Sequence, residues 1–177
     1  GEALRRNMEA AHTKELLGLD PEEFASAYWP LPTWEPSVVH RKDPDHDLYA
    51  ISFKHPITRF TTLPATNPWL MEIAERDPYV LRVFMNTETG KKKGIKDGDW
   101  VWVESAVGKV KVQVRLTELM HAETLGFAGT FGHTGIRHPT GNGVGAHFNS
   151  LLPLDLEHTG RNCGAMEGTA RVKVYKA

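Results

Sequence analysis

The sequence predicts a mainly β fold in which short strands close, or nearly close, into a barrel. Its clearest element is a hairpin of residues 100–105 and 109–116, where apolar and polar residues alternate strictly along the second strand. Other short apolar runs recur between residues 48 and 175, and only two stretches among them carry helix signals. Many short strands with one or two inserted helices are typical of a closed barrel.

The strands follow from short runs rich in β-branched and aromatic residues. Val110, Val112 and Val114 alternate with Lys109, Lys111 and Gln113, so one face of that strand is buried and the other is wet. By the same reasoning, the predicted strands cover residues 48–53, 79–85, 100–105, 109–116, 124–129 and 170–175.

Two short helices and a tight turn are predicted between these strands. Asn67 is a suitable N-cap, and Pro68 occupies the first position of the helix that follows it. Asn86 caps a second, shorter helix that stops at Gly94. Before the hairpin the chain turns at Gly98, where we expect a positive φ.

The first part of the chain has a different character. Residues 3–29 contain apolar residues at near-helical spacing and are predicted to form short helices. One of these begins at Asp20, which serves as N-cap to Pro21 at the first helical position.

A proline-rich arm follows the helices. Residues 30–46 cannot form a regular helix or a central strand, and we expect an extended arm held against a surface by Trp29 and Trp34. The alternative is a mobile linker. The chain therefore divides into a helical segment with its arm, residues 1–46, and a β domain, residues 47–177.

Composition restricts the function classes. The chain has 177 residues and a formal charge of -1, so no overall basic field attracts nucleic acid or an anionic membrane. No apolar run approaches the roughly 20 residues that a membrane-spanning helix needs. Cys163 is the only cysteine, which excludes an intramolecular disulfide and a thiolate zinc or iron–sulfur site made by this chain alone. A cytoplasmic location is compatible with these features, but the compartment is not determined.

The loop after the first strand, residues 52–62, suits an anion. Backbone N–H groups at a helix start, together with Lys and Arg, are what a phosphate or pyrophosphate needs. The alternative is a solvated polar turn. The loop leads toward the helix start at Asn67 and contains Lys54, His55, Thr58, Arg59, Thr61 and Thr62.

A glycine-rich stretch, roughly residues 129–169, is the second candidate site, because long irregular segments in compact domains are usually functional. Asn149 offers a donor and an acceptor together, which matches the edge of a purine or a pterin. Four histidines of this stretch and a fifth just before it lack the spacing of a metal site, and we predict no bound transition metal. These histidines are His121, His133, His138, His147 and His158.

Four segments, in order along the chain, resemble one known family. They are NPWLME at 67–72, VFMN at 83–86, KGIKDGDWVWVESAVG at 93–108 and NSL at 149–151. Together they resemble the C-terminal molybdopterin-guanine-dinucleotide-binding domain of the DMSO reductase family of molybdopterin oxidoreductases. The resemblance covers residues 47–177.

This resemblance implies a six-stranded double-psi β-barrel with one or two short inserted helices. The implied cofactor is bis-molybdopterin guanine dinucleotide with molybdenum or tungsten, shared with preceding domains. Many members carry Arg near Lys54, and lysine keeps that charge without the bidentate geometry. The cofactor contacts that the resemblance implies are Lys54, His55, Thr58, Thr61 and Thr62 in the first loop, then Gly132 and His133 with the adjoining Phe131, and finally Asn149.

The resemblance also implies a division of labour. In the family, the metal ligand and the iron–sulfur cysteines come from earlier domains, so we expect this chain not to catalyse by itself. It would be a C-terminal fragment or a separate small subunit, and the helices and the arm favour the fragment. Its expected partners are the remaining domains of a catalytic subunit and an iron–sulfur electron-transfer subunit, with no nucleic acid and no membrane contact.

Two other functions remain as alternatives. A stand-alone double-psi barrel could recognise proteins, although such a barrel has no need of the long Gly/His stretch. A small hydrolase that uses one of the histidines has little support, because no nucleophile–base pair can be named.

Overall fold

We describe the fold from a computed structural model, which covers residues 1–26, 28, 34, 36–56, 66–135, 142–160 and 164–177. The chain forms two compact units. The first comprises Gly1–His40 and Leu154–Glu167, and the second comprises Arg41–Pro153 and Gly168–Ala177. None of the helices within the described ranges has the length and apolar character needed to span a lipid bilayer.

The first unit contains the predicted short helices. They are α1 (Glu2–Ala10), α2 (Thr13–Leu17) and α3 (Pro21–Ser26). Asp20 Oδ1 accepts the backbone N–H groups of Glu22 and Glu23 at 3.0 and 3.2 Å, which confirms the predicted cap. Met8 on α1 and Ala25 on α3 are buried, since these two helices pack against each other.

One tryptophan of the arm, Trp34, is not packed against a surface as predicted. Trp34 is 82% exposed, so the expectation that it holds the arm against a surface is wrong. Proline has no backbone N–H to donate, so proline-rich sequence favours few of the ladder hydrogen bonds that fix side chains against a neighbour. Trp29 lies outside the described residues. Within the predicted arm, Val38–His40 form a single 3₁₀ turn, and the Ser37 hydroxyl donates a hydrogen bond to Glu167.

The second unit is a closed barrel of six strands, which confirms the predicted mainly β fold. The order around the barrel is β1-β5-β2-β4-β3-β6, and β6 pairs with β1 to close it. The pairs β1–β5 and β2–β4 are parallel, and the other four pairs are antiparallel. The strands are β1 (Leu48–Phe53), β2 (Val83–Asn86), β3 (Trp100–Glu104), β4 (Lys109–Thr117), β5 (Thr124–Ala128) and β6 (Thr169–Lys176).

The barrel interior is filled by the apolar positions of the alternating strands. Val101 and Val103 on β3 are fully buried, and they lie opposite Val112 and Val110 on β4, as the sequence pattern predicts. Leu125 on β5 is fully buried as well. Aliphatic side chains from all six strands therefore form one continuous core.

One predicted strand is shorter than expected. Residues 79–85 were predicted as a strand, but residues 78–81 form a turn and β2 begins only at Val83. The Asp77 carboxylate explains the difference, because its Oδ1 accepts the Tyr79 N–H at 2.7 Å and fixes a turn there. Val80 is buried in a small apolar cluster rather than in a strand.

Both predicted caps between the strands are confirmed. Asn67 Oδ1 accepts the N–H groups of Trp69 and Leu70 at the start of α4 (Pro68–Arg76). Asn86 Oδ1 accepts the Glu88 N–H at the start of α5 (Thr87–Lys92), and its amide group donates to the Met120 carbonyl oxygen at 2.8 Å. Asn86 therefore joins a helix start to a distant loop.

The turn before the hairpin is held by two carboxylates. Gly98 has a φ of 82°, as predicted. Asp97 Oδ1 accepts the Leu116 N–H at 2.8 Å, and Asp99 Oδ2 accepts the Lys96 N–H at 2.9 Å. Both acidic residues of this turn thus have structural roles.

The end of the same motif also has a structural role. The Ser105 hydroxyl oxygen accepts the N–H groups of Val107 and Gly108 and closes the hairpin turn. A Cβ at Gly108 would lie 2.2 Å from the carbonyl oxygen of Ser150, in the 3₁₀ helix Phe148–Leu151. Only glycine therefore lets the hairpin turn contact this helix.

We expect Gly108→Ala to destabilise the barrel by about 1–3 kcal/mol, because the new methyl group overlaps a backbone carbonyl that cannot move alone. Gly168→Ala is the matched control, since nothing lies within 4 Å of its Cβ position. Urea unfolding of both variants measures the difference. Equal stabilities of the two variants would contradict this contact.

We also expect Asp99 to contribute to the pH dependence of stability. The Lys96 N–H, and then the Lys176 ammonium group, lower the pKa of Asp99 from 3.8. A lowered pKa in the folded state means that this contribution is present above pH 3.8 and is lost as the pH falls through the folded-state pKa. The stability difference between wild type and Asp99→Asn should therefore shrink below about pH 4 in acid unfolding curves, and a constant difference would refute this.

Candidate functional site

The candidate site lies at one end of the barrel, and the strand directions define it. β1, β3 and β5 run one way, and β2, β4 and β6 run the other way. The carboxyl ends of β1, β3 and β5 therefore meet at the same end, which we call the upper rim. The segments Lys54–His55, Ser105–Gly108 and Gly129–His133 leave the barrel there.

The two candidate segments of the sequence, residues 52–62 and 129–169, are joined at the ends of β1 and β5. Phe53 lies beside Ala128 in the parallel register, and the Gly129 N–H donates to the Phe53 carbonyl oxygen at 3.2 Å. A Cβ at Gly129 would be 3.1 Å from Ser52 Cβ, so these two segments of the chain are in close contact. Lys54 follows directly and its side chain is exposed.

His55 is half-buried beside the end of α4. Its Nε2 lies 3.8 Å from Asp77 Oδ2, while the other carboxylate oxygen of Asp77 accepts the Tyr79 N–H. Buried Met71 and Ala74 of α4 belong to the same apolar cluster as Phe131. Helix α4 therefore packs beside the upper rim and forms one wall around His55.

Two glycine-rich segments, around Gly132 and Gly143, cross each other above β5. The Gly132 N–H donates to the Val144 carbonyl oxygen at 2.7 Å, and the Gly143 N–H donates to the His133 carbonyl oxygen at 2.8 Å. Gly132 has a φ of 81°, and a Cβ there would lie 2.0 Å from the backbone nitrogen of His147. The crossing therefore requires glycine at residue 132 for both its conformation and its lack of a side chain.

This crossing brings two of the histidines together. The rings of His133 and His147 have centroids 4.4 Å apart and are tilted by 52°. His147 Nδ1 also lies 3.1 Å from the Ser150 hydroxyl, with donor and acceptor roles that depend on the tautomer. Asn149 directly precedes Ser150. Its side chain is exposed and has no hydrogen-bond partner among the described residues. The polar edge of Asn149 is thus available to a ligand at the upper rim.

Thr130 is a residue of this rim that the sequence did not single out. It is 7% exposed, and its hydroxyl oxygen has no hydrogen-bond partner in the described part of the chain. A buried hydroxyl without a partner costs about 1–3 kcal/mol. No sequence pattern marks such a threonine, because its burial and its missing partner arise only in the folded chain.

The structure thus brings together all the predicted site residues that it describes. Lys54, His55, Gly132, His133 and Asn149 lie at or directly above the upper rim. Thr58, Thr61 and Thr62 lie outside the described residues. The group combines a cation, imidazole rings, an amide, a buried hydroxyl and glycine-lined backbone, which suits an anionic ligand with a flat heterocycle.

Two further observations concern the region around the upper rim. Among the described residues, no three His, Cys, Asp or Glu side chains are placed to hold a metal ion. A cleft of about 610 Å³ lies at the start of α4, but Asn67 already accepts two of the N–H groups there. An anion at this helix start would therefore compete with the Asn67 cap.

Comparison with known proteins adds independent information. A family model described as "Molydopterin dinucleotide binding domain" matches residues 48–165. The dopamine dehydroxylase of Eggerthella lenta is 26% identical over 156 residues, or 84% of this chain and 15% of that protein. The thiosulfate reductase molybdopterin-containing subunit PhsA of Salmonella typhimurium is 34% identical over 71 residues, or 40% of this chain and 9% of that protein.

A solved structure has the same fold. The acetylene hydratase of Pelobacter acetylenicus superposes with a TM-score of 0.67 at 18% identity, covering 93% of this chain and 22% of that one. The closed barrel with its two parallel pairs is a double-psi β-barrel, as the resemblance implied. The chain spans only a small part of each of these proteins.

We expect Gly132→Ala to destabilise the crossing more than Gly143→Ala. Both glycines have a positive φ, but only at Gly132 would a Cβ meet backbone atoms, because the nearest atom to Gly143 is 3.8 Å away. Gly143→Ala should cost about 1 kcal/mol from backbone strain alone, and Gly132→Ala about 3 kcal/mol or more. Thermal unfolding measures both. Similar losses would show that the close approach at Gly132 does not constrain the fold.

Proposed function

This chain belongs to the molydopterin dinucleotide binding domain family, and we propose that its upper rim is the surface that holds the cofactor. One observation supports the proposal: Lys54 and Gly132 follow the carboxyl ends of the parallel strands β1 and β5, and Asn149 lies at the same end of the barrel, beside the contact between Gly108 and Ser150. A rim of this composition suits a pterin joined to a nucleotide through phosphates. The metal bound by the pterin would supply the redox chemistry.

The residues of the rim have separate roles in this proposal. Lys54 and His55 hold phosphate oxygens together with the hydroxyls of Thr58, Thr61 and Thr62. Electrostatic attraction at this rim favours an anion, since lysine carries a fixed charge at neutral pH. This part of the site binds and orients the cofactor and transfers no proton.

The crossing segment forms the second half of the proposed site. Gly132 exposes backbone that a flat ring can approach closely, and His133 lies beside it, supported by the ring of His147. The amide of Asn149 pairs with the edge of the guanine or the pterin. These contacts would select a heterocycle with alternating donors and acceptors.

The larger assembly is part of the same proposal. The relatives are much longer than this chain, and one is named as a molybdopterin-containing subunit, which supports a place in a larger catalytic subunit. We propose bis-molybdopterin guanine dinucleotide, with molybdenum or tungsten, as the cofactor, shared with other domains of that subunit. An iron–sulfur subunit would exchange electrons with it. Family membership favours this role over a stand-alone protein-recognition barrel.

The test uses GDP and released molybdopterin guanine dinucleotide as probes. We expect both to shift the backbone amide signals of residues 54–62 and 132–149 in NMR titrations. Lys54→Gln should weaken binding of GDP about fivefold, the value of one exposed charge-assisted hydrogen bond.

Lys92→Gln is the matched control for this charge. Lys92 is exposed on α5, which follows the carboxyl end of β2 at the opposite end of the barrel, so its loss should leave GDP binding unchanged. Absence of shifts with both probes would contradict the proposed function. Equal effects of the two substitutions would show that the phosphates do not bind at the upper rim.

A further inference from the structure

We propose that the buried hydroxyl of Thr130 donates a hydrogen bond to a phosphate oxygen of the bound dinucleotide. The inference rests on the proposed function and adds a specific contact that neither the sequence pattern nor the family resemblance identifies. The observation behind it is a buried hydroxyl oxygen, that of Thr130, which has no hydrogen-bond partner among the described residues.

Three polar residues are buried in the described part of the chain, and Thr130 differs from the other two. Thr89, at 8% exposure, donates its hydroxyl to the Ala122 carbonyl oxygen at 2.5 Å. Ser105, also at 8%, bonds with the hairpin turn. Thr130, at 7%, has no partner for its hydroxyl among the described residues. Buried polar groups are almost always hydrogen-bonded, so this exception requires an explanation.

The backbone holds Thr130 at the upper rim. Its N–H donates to the Ala128 carbonyl oxygen at 2.9 Å, and the preceding Gly129 is bonded to Phe53 at the end of β1. The following residue, Phe131, is 1% exposed in the apolar cluster under α4. The threonine is thus anchored on both sides, between Lys54 and the glycine crossing.

The chemistry of the proposed ligand supplies the missing partner. Hydrogen bonds to ionised acceptors are roughly twice as strong as those between neutral groups, so a phosphate oxygen compensates best for a hydroxyl unsatisfied in the free protein. Lys54 leaves the barrel at the same rim and supplies the charge that attracts such a group. The residues on either side of Thr130 in the chain, Gly129 and Phe131, carry no acceptor side chain.

The hydroxyl must reorient when the ligand binds. Its oxygen is covered in the structure, and threonine side chains occupy staggered wells about 120° apart. Rotation about χ1 by about 120° moves the hydroxyl to another staggered position, which turns the donor toward a new partner without moving the backbone. Binding should therefore change the Thr130 side-chain conformation.

The experiment compares Thr130→Val, Thr130→Ser and Thr89→Val in the full chain. Valine keeps the shape of threonine and removes only the hydroxyl, while serine keeps the hydroxyl. Thr89 is the matched control, because it is equally buried, has a partner and lies on α5 at the other end of the barrel. GDP and guanosine are titrated by NMR, and Tm is measured without ligand.

We expect Thr130→Val to weaken GDP binding about tenfold or more and to leave guanosine binding unchanged, since guanosine has no phosphate. Thr130→Ser should bind GDP like wild type. Without ligand, Thr130→Val should have the wild-type Tm or a higher one, while Thr89→Val should lose roughly 2–4 °C with unchanged GDP binding.

Three outcomes would overturn the inference. GDP binding by Thr130→Val within twofold of wild type would remove the phosphate contact and leave the proposed function intact. A fall in Tm like that of Thr89→Val would show that the hydroxyl already has an internal partner, such as a buried water. If wild type shows no shifts with GDP, the proposed function itself fails, and this inference fails with it.

Discussion

The parallel pairing of β1 with β5 is the constraint on which the site depends. Parallel neighbours cannot be joined by a tight turn, and in this chain the long connection between them contains β2, β3 and β4. Their carboxyl ends then emerge side by side, and the Gly129–Phe53 hydrogen bond extends the ladder by one more step. With antiparallel pairing, Lys54 and Gly132 would lie at opposite ends of the barrel, and no common ligand could reach both.

The second requirement is that backbone segments approach each other closely. Gly132 allows residues 131–133 to lie against residues 144–147, and Gly108 allows the hairpin turn to lie against the carbonyl oxygen of Ser150. Because Asn149 lies between these two contacts, its position is fixed from both sides although its own side chain is exposed. A mobile loop would lose more conformational entropy on binding than this fixed segment does.

The elements predicted from the sequence are those that local chemistry determines. The β3–β4 hairpin follows from strict alternation, and the caps Asn67 and Asn86 follow from the preference of their side chains for helix N–H groups. Sequence alone missed features that depend on distant neighbours. The Asp77 turn shortened β2, and nothing in the arm's composition showed that Trp34 would be exposed. The strand order, with its two parallel pairs, required the family resemblance or the structure, because pairing between distant strands leaves no local signal.

The segments that resemble the family and the residues proposed to touch the cofactor are largely different sets. Asp97, Ser105 and Gly108 hold turns, so their presence indicates the scaffold and carries little information about a ligand. A binding residue can conversely reduce the stability of the free domain, as the unpaired hydroxyl of Thr130 does. For this reason a search for the ligand contacts of such a barrel should begin with polar atoms that the free fold leaves unsatisfied. A bound ligand can supply the partner that such atoms lack.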